Sequence, residues 1–196
     1  MNDKKTNMIS NIKTTIVAVL LVALVLFYFN YLSNKSADRR TDKQMTEVES
    51  LMNYDMLGDY PKTPRDVVKL HNRFFKQFYG QKLSDDELKI LNHKIRNLYC
   101  TELLALNPED VMYESLKDNI DEMKKSGYEY KSYELPEASQ VKKYMADDRE
   151  MATLEVTVAV NTDDSKGYMY IQYILIKEND QWKIYGWGDS KLGDRQ

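Results

Sequence analysis

The chain has 196 residues, which leaves about 135 for one ordinary domain once an N-terminal apolar segment and a charged linker are set aside. Beyond residue 32 its 25 Lys and Arg face 30 Asp and Glu without a long block of either sign, which excludes the basic footprint of a nucleic-acid-binding protein. The single cysteine, Cys100, excludes an intramolecular disulfide and a site built from thiolates, so stability must come from burial.

The first predicted element is an apolar segment near the N-terminus. Residues Ile16 to Phe29 carry no charge, and segment 14–32 reaches the roughly 17 to 20 residues that a membrane-spanning helix needs. Three lysines precede it, as in a secretory signal, so a cleaved signal peptide is the alternative. No Ala-x-Ala pattern and no cysteine for lipidation follow in residues 30–35. We therefore predict a retained transmembrane anchor.

The two flanks of this anchor differ in length more than in charge. Four basic residues follow it within residues 33–43 and three precede it, so the basic-residue count does not set the orientation. A lysine-bearing tail of 13 residues is poorly translocated, whereas long domains cross largely regardless of charge. The sequence therefore predicts a cytoplasmic tail over 1–13 and a single-pass cell-membrane protein whose C-terminal domain is extracytoplasmic.

A charged segment, 33–59, follows the predicted anchor. Four of its apolar residues recur at helical spacing: Met45, Val48, Met52 and Met56. This pattern predicts a partly helical stalk that holds the domain above the membrane. The domain itself is then expected over 60–190, with a short tail at 191–196, and residues 60–196 are expected to fold on their own.

Two helices with clear start signals open the predicted domain. Thr63 stands before a proline, the typical arrangement of an N-cap and a first helical residue, and predicts a helix over 64–79. Ser84 and Glu87 have the spacing of a capping box, in which each side chain bonds the backbone of the other. The second helix is predicted to run from this box to about Leu104.

A third helix and a set of strands complete the predicted domain. The same cap-then-proline signal at 107–110 begins the helix, and Gly127 ends it. After Gly127 the hydrophobic period changes to two residues, most clearly over 152–160, whereas 168–177 is apolar on both faces and indicates a central strand. Strands are predicted over 128–135, 140–146, 152–160, 168–177 and 182–188. Helices first and an antiparallel sheet second indicate an α+β fold, with three helices packed on one face of four to five strands.

Several motifs resemble known families. Segment 173–187, which ends in a Trp-containing hairpin, is similar to the last hairpin of nuclear-transport-factor-2-like domains. That resemblance implies a cone-shaped fold of helices on a curved sheet. Such folds usually interleave helices and strands along the chain, and the predicted order, three helices before any strand, departs from this. Further motifs lie at 60–68, 83–87, 102–104 with 107–108, and 182–184 with 186–187. Through them residues 45–188 resemble an uncharacterised family of small membrane-anchored proteins from Gram-positive bacteria, which has no assigned activity.

Two histidines are the candidates for acid–base chemistry. His71 falls at the centre of the apolar face of the first helix, where it is either a base facing a cavity or a core histidine with one backbone partner. We favour the core histidine, because no group that would orient a general base stands out. His93 lies about 10 Å of helical rise from Cys100, too far for a catalytic pair. The acidic run 85–87 is explained by capping, so no metal and no cofactor are predicted.

Aromatic residues are abundant in the predicted strands. Together with His71, some of them are candidates to line a pocket for a flat apolar ligand: Tyr170, Tyr173, Tyr185 and Trp187. Packing against the helices is the alternative use of such residues, because aromatic side chains suit a half-buried sheet whether or not a ligand exists. A stripe of Met and Phe on the first and third helices is likewise interpreted as core.

Glu102 falls within the apolar face of the predicted second helix, and a buried acid needs a partner. Antiparallel packing of the first two helices would place Glu102 level with the start of the first helix. The free amides there and the guanidinium of Arg65 could receive the carboxylate. Structural rather than catalytic roles are therefore predicted for Glu102, Arg65 and the capping residues Ser84 and Glu87.

The leading functional hypothesis is a non-catalytic extracytoplasmic module that binds a partner protein or a small apolar ligand close to the membrane. A scaffold subunit of an envelope secretion or conjugation assembly is the second hypothesis, because some such subunits combine one N-terminal span with a cone-shaped domain. An enzyme of the isomerase or dehydratase kind is the third. A deep pocket holding a perturbed carboxylate or His71 would favour the enzyme.

Overall fold

The computed structural model describes residues 45–162 and 165–190. The predicted cytoplasmic tail, the predicted membrane anchor and most of the predicted stalk, residues 1–44, lie outside this range, as does the tail 191–196. Over the described residues, no helix combines the length and the apolar composition that crossing a membrane requires.

Five α-helices precede the strands in the described chain: α1 (Glu47–Met52), α2 (Pro64–Gly80), α3 (Asp85–Ile95), α4 (Thr101–Leu106) and α5 (Glu109–Lys125). Helix α2 begins behind Thr63, whose Oγ1 accepts the N–H of Asp66 at 3.1 Å. Helix α3 begins behind a capping box. The N–H of Ser84 donates to Glu87 Oε2 at 2.8 Å and the N–H of Glu87 donates to Ser84 Oγ at 3.3 Å. These caps satisfy amides that the first helical turn leaves free.

The predicted second helix is interrupted in the structure. Helix α3 ends at Ile95, a single 3₁₀ turn covers Arg96–Leu98, and the backbone is extended at Tyr99 and Cys100 before α4 begins. The N–H of Cys100 donates to the carbonyl of Ile184 at 3.0 Å, and Tyr99 bridges Ile184 in parallel. The prediction of one continuous helix is wrong because this bond to the sheet edge replaces a helical one.

The described strands form one five-stranded antiparallel sheet: β1 (Glu129–Glu134), β2 (Lys142–Ala146), β3 (Arg149–Asn161), β4 (Lys166–Glu178) and β5 (Gln181–Asp189). Strand β3 is central, because β2 pairs with its first half, β1 with its second half, and β4 along its other side. Strand β5 lies outside β4. The α+β class and the antiparallel sheet are confirmed, and the strand bounds agree with those predicted to within three residues.

Successive residues of β3 face opposite sides of the sheet. One set faces the helices and belongs to the main core: Ala152, Leu154, Val156, Val158 and Val160. On the other side Met151 and Ile176 pack with Cys100 in a small second cluster. Because Tyr99 and Cys100 are extended beside β5, their side chains part to opposite faces. Helix α4 therefore begins at the edge of the sheet, where Leu103 packs against both clusters.

Helix α1 belongs to the core rather than to a stalk. Val48 and Leu51 of α1, and Met56 after it, are buried in the main core cluster. The compact unit begins at Thr46. The structure therefore moves the start of the domain from residue 60 to Thr46, because the apolar spacing that indicated a stalk supplies buried side chains.

A β-bulge in β5 decides which face Trp187 occupies. Ile184 is buried on the helix side, and regular alternation from it would turn Trp187 to the opposite side. The pairing with β4 shifts by one residue, which leaves Tyr185 as the extra residue of the bulge. Trp187 then pairs with Tyr173 and lies on the helix side of the sheet.

Candidate functional site

A cleft of about 500 Å³ lies between α2, α5 and the end of β5. This volume falls within the roughly 300 to 1,000 Å³ of small-molecule sites. None of its lining side chains carries a charge, although 30% of the residues in the chain are charged. The lining residues are Phe75, Phe78, Tyr79, Tyr99, Leu103, Asn107, Met112, Ser115, Leu116, Asn119, Gly186 and Trp187.

Trp187 forms the aromatic wall of the cleft. Its ring centroid lies 4.8 Å from that of His71, 5.5 Å from that of Tyr99 and 5.7 Å from that of Phe75. The residue is 37% exposed, so part of its ring surface remains open. The cleft therefore offers a flat apolar surface against which a second ring can stack.

Polar groups at the cleft are few and neutral. The hydroxyl of Tyr79 donates to Asn119 Oδ1 at 2.9 Å, and Asn107 Nδ2 donates to the carbonyl of Leu103 at 2.9 Å. Burial raises the pKa of Tyr79 to about 12, so its phenol keeps its proton at neutral pH. The cleft is therefore uncharged under physiological conditions.

Behind Trp187 lies a buried chain of polar side chains. His71 Nδ1 is 3.1 Å from the hydroxyl of Tyr173, and His71 Nε2 is 3.2 Å from that of Tyr99. Asn72 Nδ2 donates to the Tyr173 oxygen at 3.1 Å, and Asn72 Oδ1 accepts the hydroxyl of Tyr130 at 2.8 Å. We call these five residues the buried polar chain. It joins α2 to β1 and β4 and to the extended segment after α3.

His71 is a core histidine, but its partners differ from the expected one. The residue has no exposed surface, and both ring nitrogens contact tyrosine hydroxyls rather than a backbone group. Burial lowers the pKa of His71 to about 3, so the ring is neutral at physiological pH. A neutral imidazole with both nitrogens occupied is a poor general base.

The structure separates the predicted pocket candidates into three groups. Trp187 lines the cleft, whereas His71 and Tyr173 are fully buried behind it. Tyr170 pairs with Thr157 of β3 and therefore lies on the opposite face of the sheet. Tyr185, the bulge residue, has its ring 5.9 Å from the guanidinium carbon of Arg149. Tyr170 and Tyr185 are thus absent from the cleft, because β-alternation and the bulge direct them elsewhere.

Several cleft residues were missed by the sequence reasoning. Tyr99 falls within the predicted second helix, and Met112 and Phe75 belong to the Met and Phe stripe that is interpreted as core. The available signal was the i, i+4 spacing of Met112 and Leu116 on α5, with the polar Ser115 and Asn119 beside them. An apolar stripe with neutral polar neighbours is consistent with a half-open cleft as well as with a core.

Glu102 has a different partner from the predicted one. It lies in the first turn of α4 and its Oε1 pairs with the guanidinium of Arg149. Its own backbone N–H and Arg149 lower the pKa of Glu102 to about 2. Arg65 instead donates from Nε to the carbonyl of Pro136 at 2.7 Å. The predicted contact between Glu102 and the start of α2 is absent, because α4 is a separate helix.

One cluster of potential metal ligands was not indicated by sequence spacing. Ligand atoms of Cys100, Glu102 and Glu178 lie within 4.8 Å of one another. Each group already has a protein partner: Cys100 Sγ accepts the N–H of Leu103, Glu102 pairs with Arg149, and Glu178 accepts from Thr101. Glu102 Oε2, which is buried, has no hydrogen-bond partner among the described residues, so these contacts leave one carboxylate oxygen of the cluster unpaired.

Three other cavities formed by described residues are lined in part by charged side chains. One, on the outer face of the sheet, includes Glu134, Glu137, Lys142 and Glu155. Another, beside the start of α5, includes Lys89, Glu109, Asp110 and Glu114. A third includes Lys62, Asp66, Lys69 and Arg73. The aromatic cleft differs from all three in being uncharged.

Residues 1–187 match a family described as a domain of unknown function, DUF6715. The chain belongs to this family. No curated protein matches its sequence. Among solved structures, TraH from the Gram-positive conjugative plasmid pIP501 is similar at a TM-score of 0.38 and 14% identity, covering 69% of this chain and 99% of that one. The intermembrane-space region of the chloroplast protein ARC6 is similar at a TM-score of 0.30 and 14% identity, covering 66% of this chain and 98% of that one.

The pairing of Glu102 predicts a small acid-dependent loss of stability. Because the pKa is lowered from 4.5 to about 2 on folding, ionised Glu102 stabilises the fold above pH 4.5, and this contribution disappears as the pH falls toward 2. The pair is half-exposed, so solvent screens it and its contribution to stability is expected to be small. Denaturant unfolding of the parent and of Glu102→Gln should therefore differ at pH 6 and converge near pH 2. The exposed Glu114→Gln serves as the control, and a constant difference across this range would contradict the assignment.

Proposed function

We propose that this member of the DUF6715 family is a non-catalytic, membrane-anchored binding module, and that its aromatic cleft takes a small, neutral and mostly apolar ligand. The observation that carries the proposal is the uncharged lining of the cleft in a highly charged chain. A charged ligand group buried there would lose its hydration without gaining a partner. A neutral ring loses little and gains contact with Trp187 and the phenylalanines of α2.

The chemistry of the cleft supports binding rather than catalysis. No carboxylate, lysine or arginine lines it. His71 is neutral, fully buried and bonded through both nitrogens, while burial raises the pKa of both Tyr79 and Tyr99. A general acid or base needs a pKa near the working pH and access to the substrate. His71 has no access to the cleft, and the pKa values of His71, Tyr79 and Tyr99 are all shifted away from neutral pH.

The anchored and extracytoplasmic placement is part of the proposal. Its support is the apolar segment 14–32, which follows a short lysine-bearing tail and precedes no cleavage pattern. The nuclear-transport-factor-2-like fold is proposed as well, from the hairpin motif at 173–187 and the position of the cleft between helices and sheet. Protease added to intact spheroplasts should digest the domain, and its complete protection would contradict the orientation.

The cleft is tested by photolabelling the full chain in lipid nanodiscs with benzophenone, a neutral two-ring probe that inserts into nearby side chains. Mass spectrometry should locate the label on cleft residues such as Met112. Trp187→Ala removes the aromatic wall, and because a buried aromatic anchor dominates such sites, labelling of the cleft should fall about tenfold or more. Tyr168→Ala is the matched control, because Tyr168 lies on the other face and is 69% exposed.

The result depends on the position of the label as well as its amount. Equal labelling of the parent and of Trp187→Ala, or label spread over the surface without excess on α5, would contradict a binding cleft. Circular dichroism of each variant establishes that the fold is retained. Competition by excess unlabelled naphthalene should reduce the cleft label and leave background labelling unchanged.

A further inference from the structure

The buried polar chain ends at the cleft. It runs from Tyr130 through Asn72, Tyr173 and His71 to Tyr99, whose side chain lines the cleft. All five residues are at most 3% exposed. Hydrogen atoms in such a chain must be accounted for, because a buried donor without an acceptor is destabilising.

The orientation of Asn72 fixes the direction of half the chain. Its Nδ2 is 2.9 Å from the carbonyl of Val68, which can only accept, so this atom is the amide nitrogen and not the oxygen. The second hydrogen of Nδ2 then goes to the Tyr173 oxygen, and Asn72 Oδ1 accepts from Tyr130. Tyr173 therefore accepts from Asn72 and keeps its own hydrogen for another partner.

One hydrogen is left over in this chain. Asn72 supplies two hydrogens, and Tyr99, Tyr130, Tyr173 and neutral His71 supply one each, but they share only five contacts, including the one to Val68. If His71 carries its hydrogen on Nδ1, the unused hydrogen is on Tyr173. If it carries the hydrogen on Nε2, the unused hydrogen is on Tyr99.

The surroundings of the two tyrosines distinguish these tautomers. Tyr173 has no exposed surface, and no further acceptor among the described residues contacts it. Tyr99 lines the cleft, where water or a ligand can accept. The arrangement that leaves no buried donor unpaired therefore has Tyr173 donating to His71 Nδ1 and His71 Nε2 donating to Tyr99. Its consequence is an unused hydrogen on the hydroxyl of Tyr99, a residue that lines the cleft.

We propose that the hydroxyl of Tyr99 donates a hydrogen bond to a carbonyl oxygen of the ligand, so that the cleft selects neutral aromatic ketones or quinones over hydrocarbons of the same shape. This inference rests on the proposed function of the cleft. It adds the chemical class of the ligand. Burial raises the pKa of Tyr99 well above its ordinary value, so the phenol remains a donor throughout the physiological range.

The test uses two competitors of nearly equal shape against benzophenone labelling of the full chain in nanodiscs: 2-acetylnaphthalene, which has a carbonyl, and 2-ethylnaphthalene, which has none. For each protein, we measure the concentration of each competitor that halves the cleft label and take the ratio of the two concentrations. All proteins are measured in the same lipid, so partitioning of the competitors into the bilayer affects every ratio equally and cancels in the comparison. The ratio is expected to favour the ketone in the parent by about five- to tenfold more than in Tyr99→Phe. Tyr133→Phe, which removes a hydroxyl outside the cleft, should keep the parent ratio.

Each outcome bears on one of the two proposals. If neither competitor displaces the label, the proposed function fails and the inference fails with it. If both compete but Tyr99→Phe keeps the parent ratio, the cleft binds and the role of Tyr99 is overturned. Should Tyr99→Phe fold poorly, the infrared band of ¹³C-carbonyl 2-acetylnaphthalene bound to the parent decides. A frequency below that of the same probe in lipid alone supports the hydrogen bond, and an unshifted band overturns it.

Discussion

Leu51→Ala is expected to lower the free energy of unfolding by about 2 to 5 kcal/mol. Leu51 has no exposed surface and packs in the same core cluster as residues of α2 and α3. Truncation to alanine removes apolar burial and leaves a cavity that neighbouring side chains fill only in part. Denaturation of the full chain can be followed through tryptophan fluorescence, because both tryptophans lie in the domain.

Leu57→Ala is the matched control for this prediction. Leu57 lies six residues further along and is 93% exposed, so the same truncation there should change stability by no more than about 0.5 kcal/mol. A second measurement is a fragment that begins at residue 60, which should lose cooperative unfolding, whereas one that begins at Thr46 should retain it. Equal effects of the two leucine variants would show that α1 is a stalk after all.

The sequence-based prediction was most accurate where the signal was local. Capping at Thr63 and Ser84 involves residues within three positions of one another, so it can be identified without knowledge of the fold. Alternation in β3 and the apolar run on both faces of β4 are equally local, and both strands were predicted nearly to their ends. Helix α1 was misassigned because its apolar spacing is the same for a stalk and for a core helix. The distinction depends on partners in α2 and α3.

The cleft was less predictable because its residues are placed by contacts between distant segments. Trp187 reaches the helix side only through the bulge at Tyr185, and simple alternation gives the opposite face. Tyr99 reaches the cleft because Cys100 bonds to the edge of β5, which the apolar pattern of a helix does not indicate. His71 was correctly assigned to the core from its helical face, but its tyrosine partners lie 28 and 102 residues away in the chain.

The second large effect is expected at Asn72, the centre of the buried polar chain. Asn72→Leu keeps nearly the same shape but removes an acceptor for Tyr130 and a donor to Tyr173. No other acceptor among the described residues contacts the Tyr130 hydroxyl, which is 3% exposed, so its hydrogen would be left unpaired in the core. The expected cost is about 2 to 4 kcal/mol in the free energy of unfolding, measured by denaturant titration at pH 7.

A double variant separates an unpaired hydroxyl from a simple packing defect. Tyr130→Phe alone leaves Asn72 Oδ1 without its donor and is expected to cost about 1 to 3 kcal/mol. Asn72→Leu combined with Tyr130→Phe removes both partners of the hydrogen bond. The double variant should therefore lose less free energy of unfolding than the sum of the two single losses, by about 1 kcal/mol or more. Tyr133→Phe, whose hydroxyl contacts the carbonyl of Lys69 at the surface, should give no such coupling with Asn72→Leu. If the losses of the two single variants add without any difference, the Tyr130 hydroxyl must find another partner. The hydrogen count that leaves an unused donor on Tyr99 would then no longer hold.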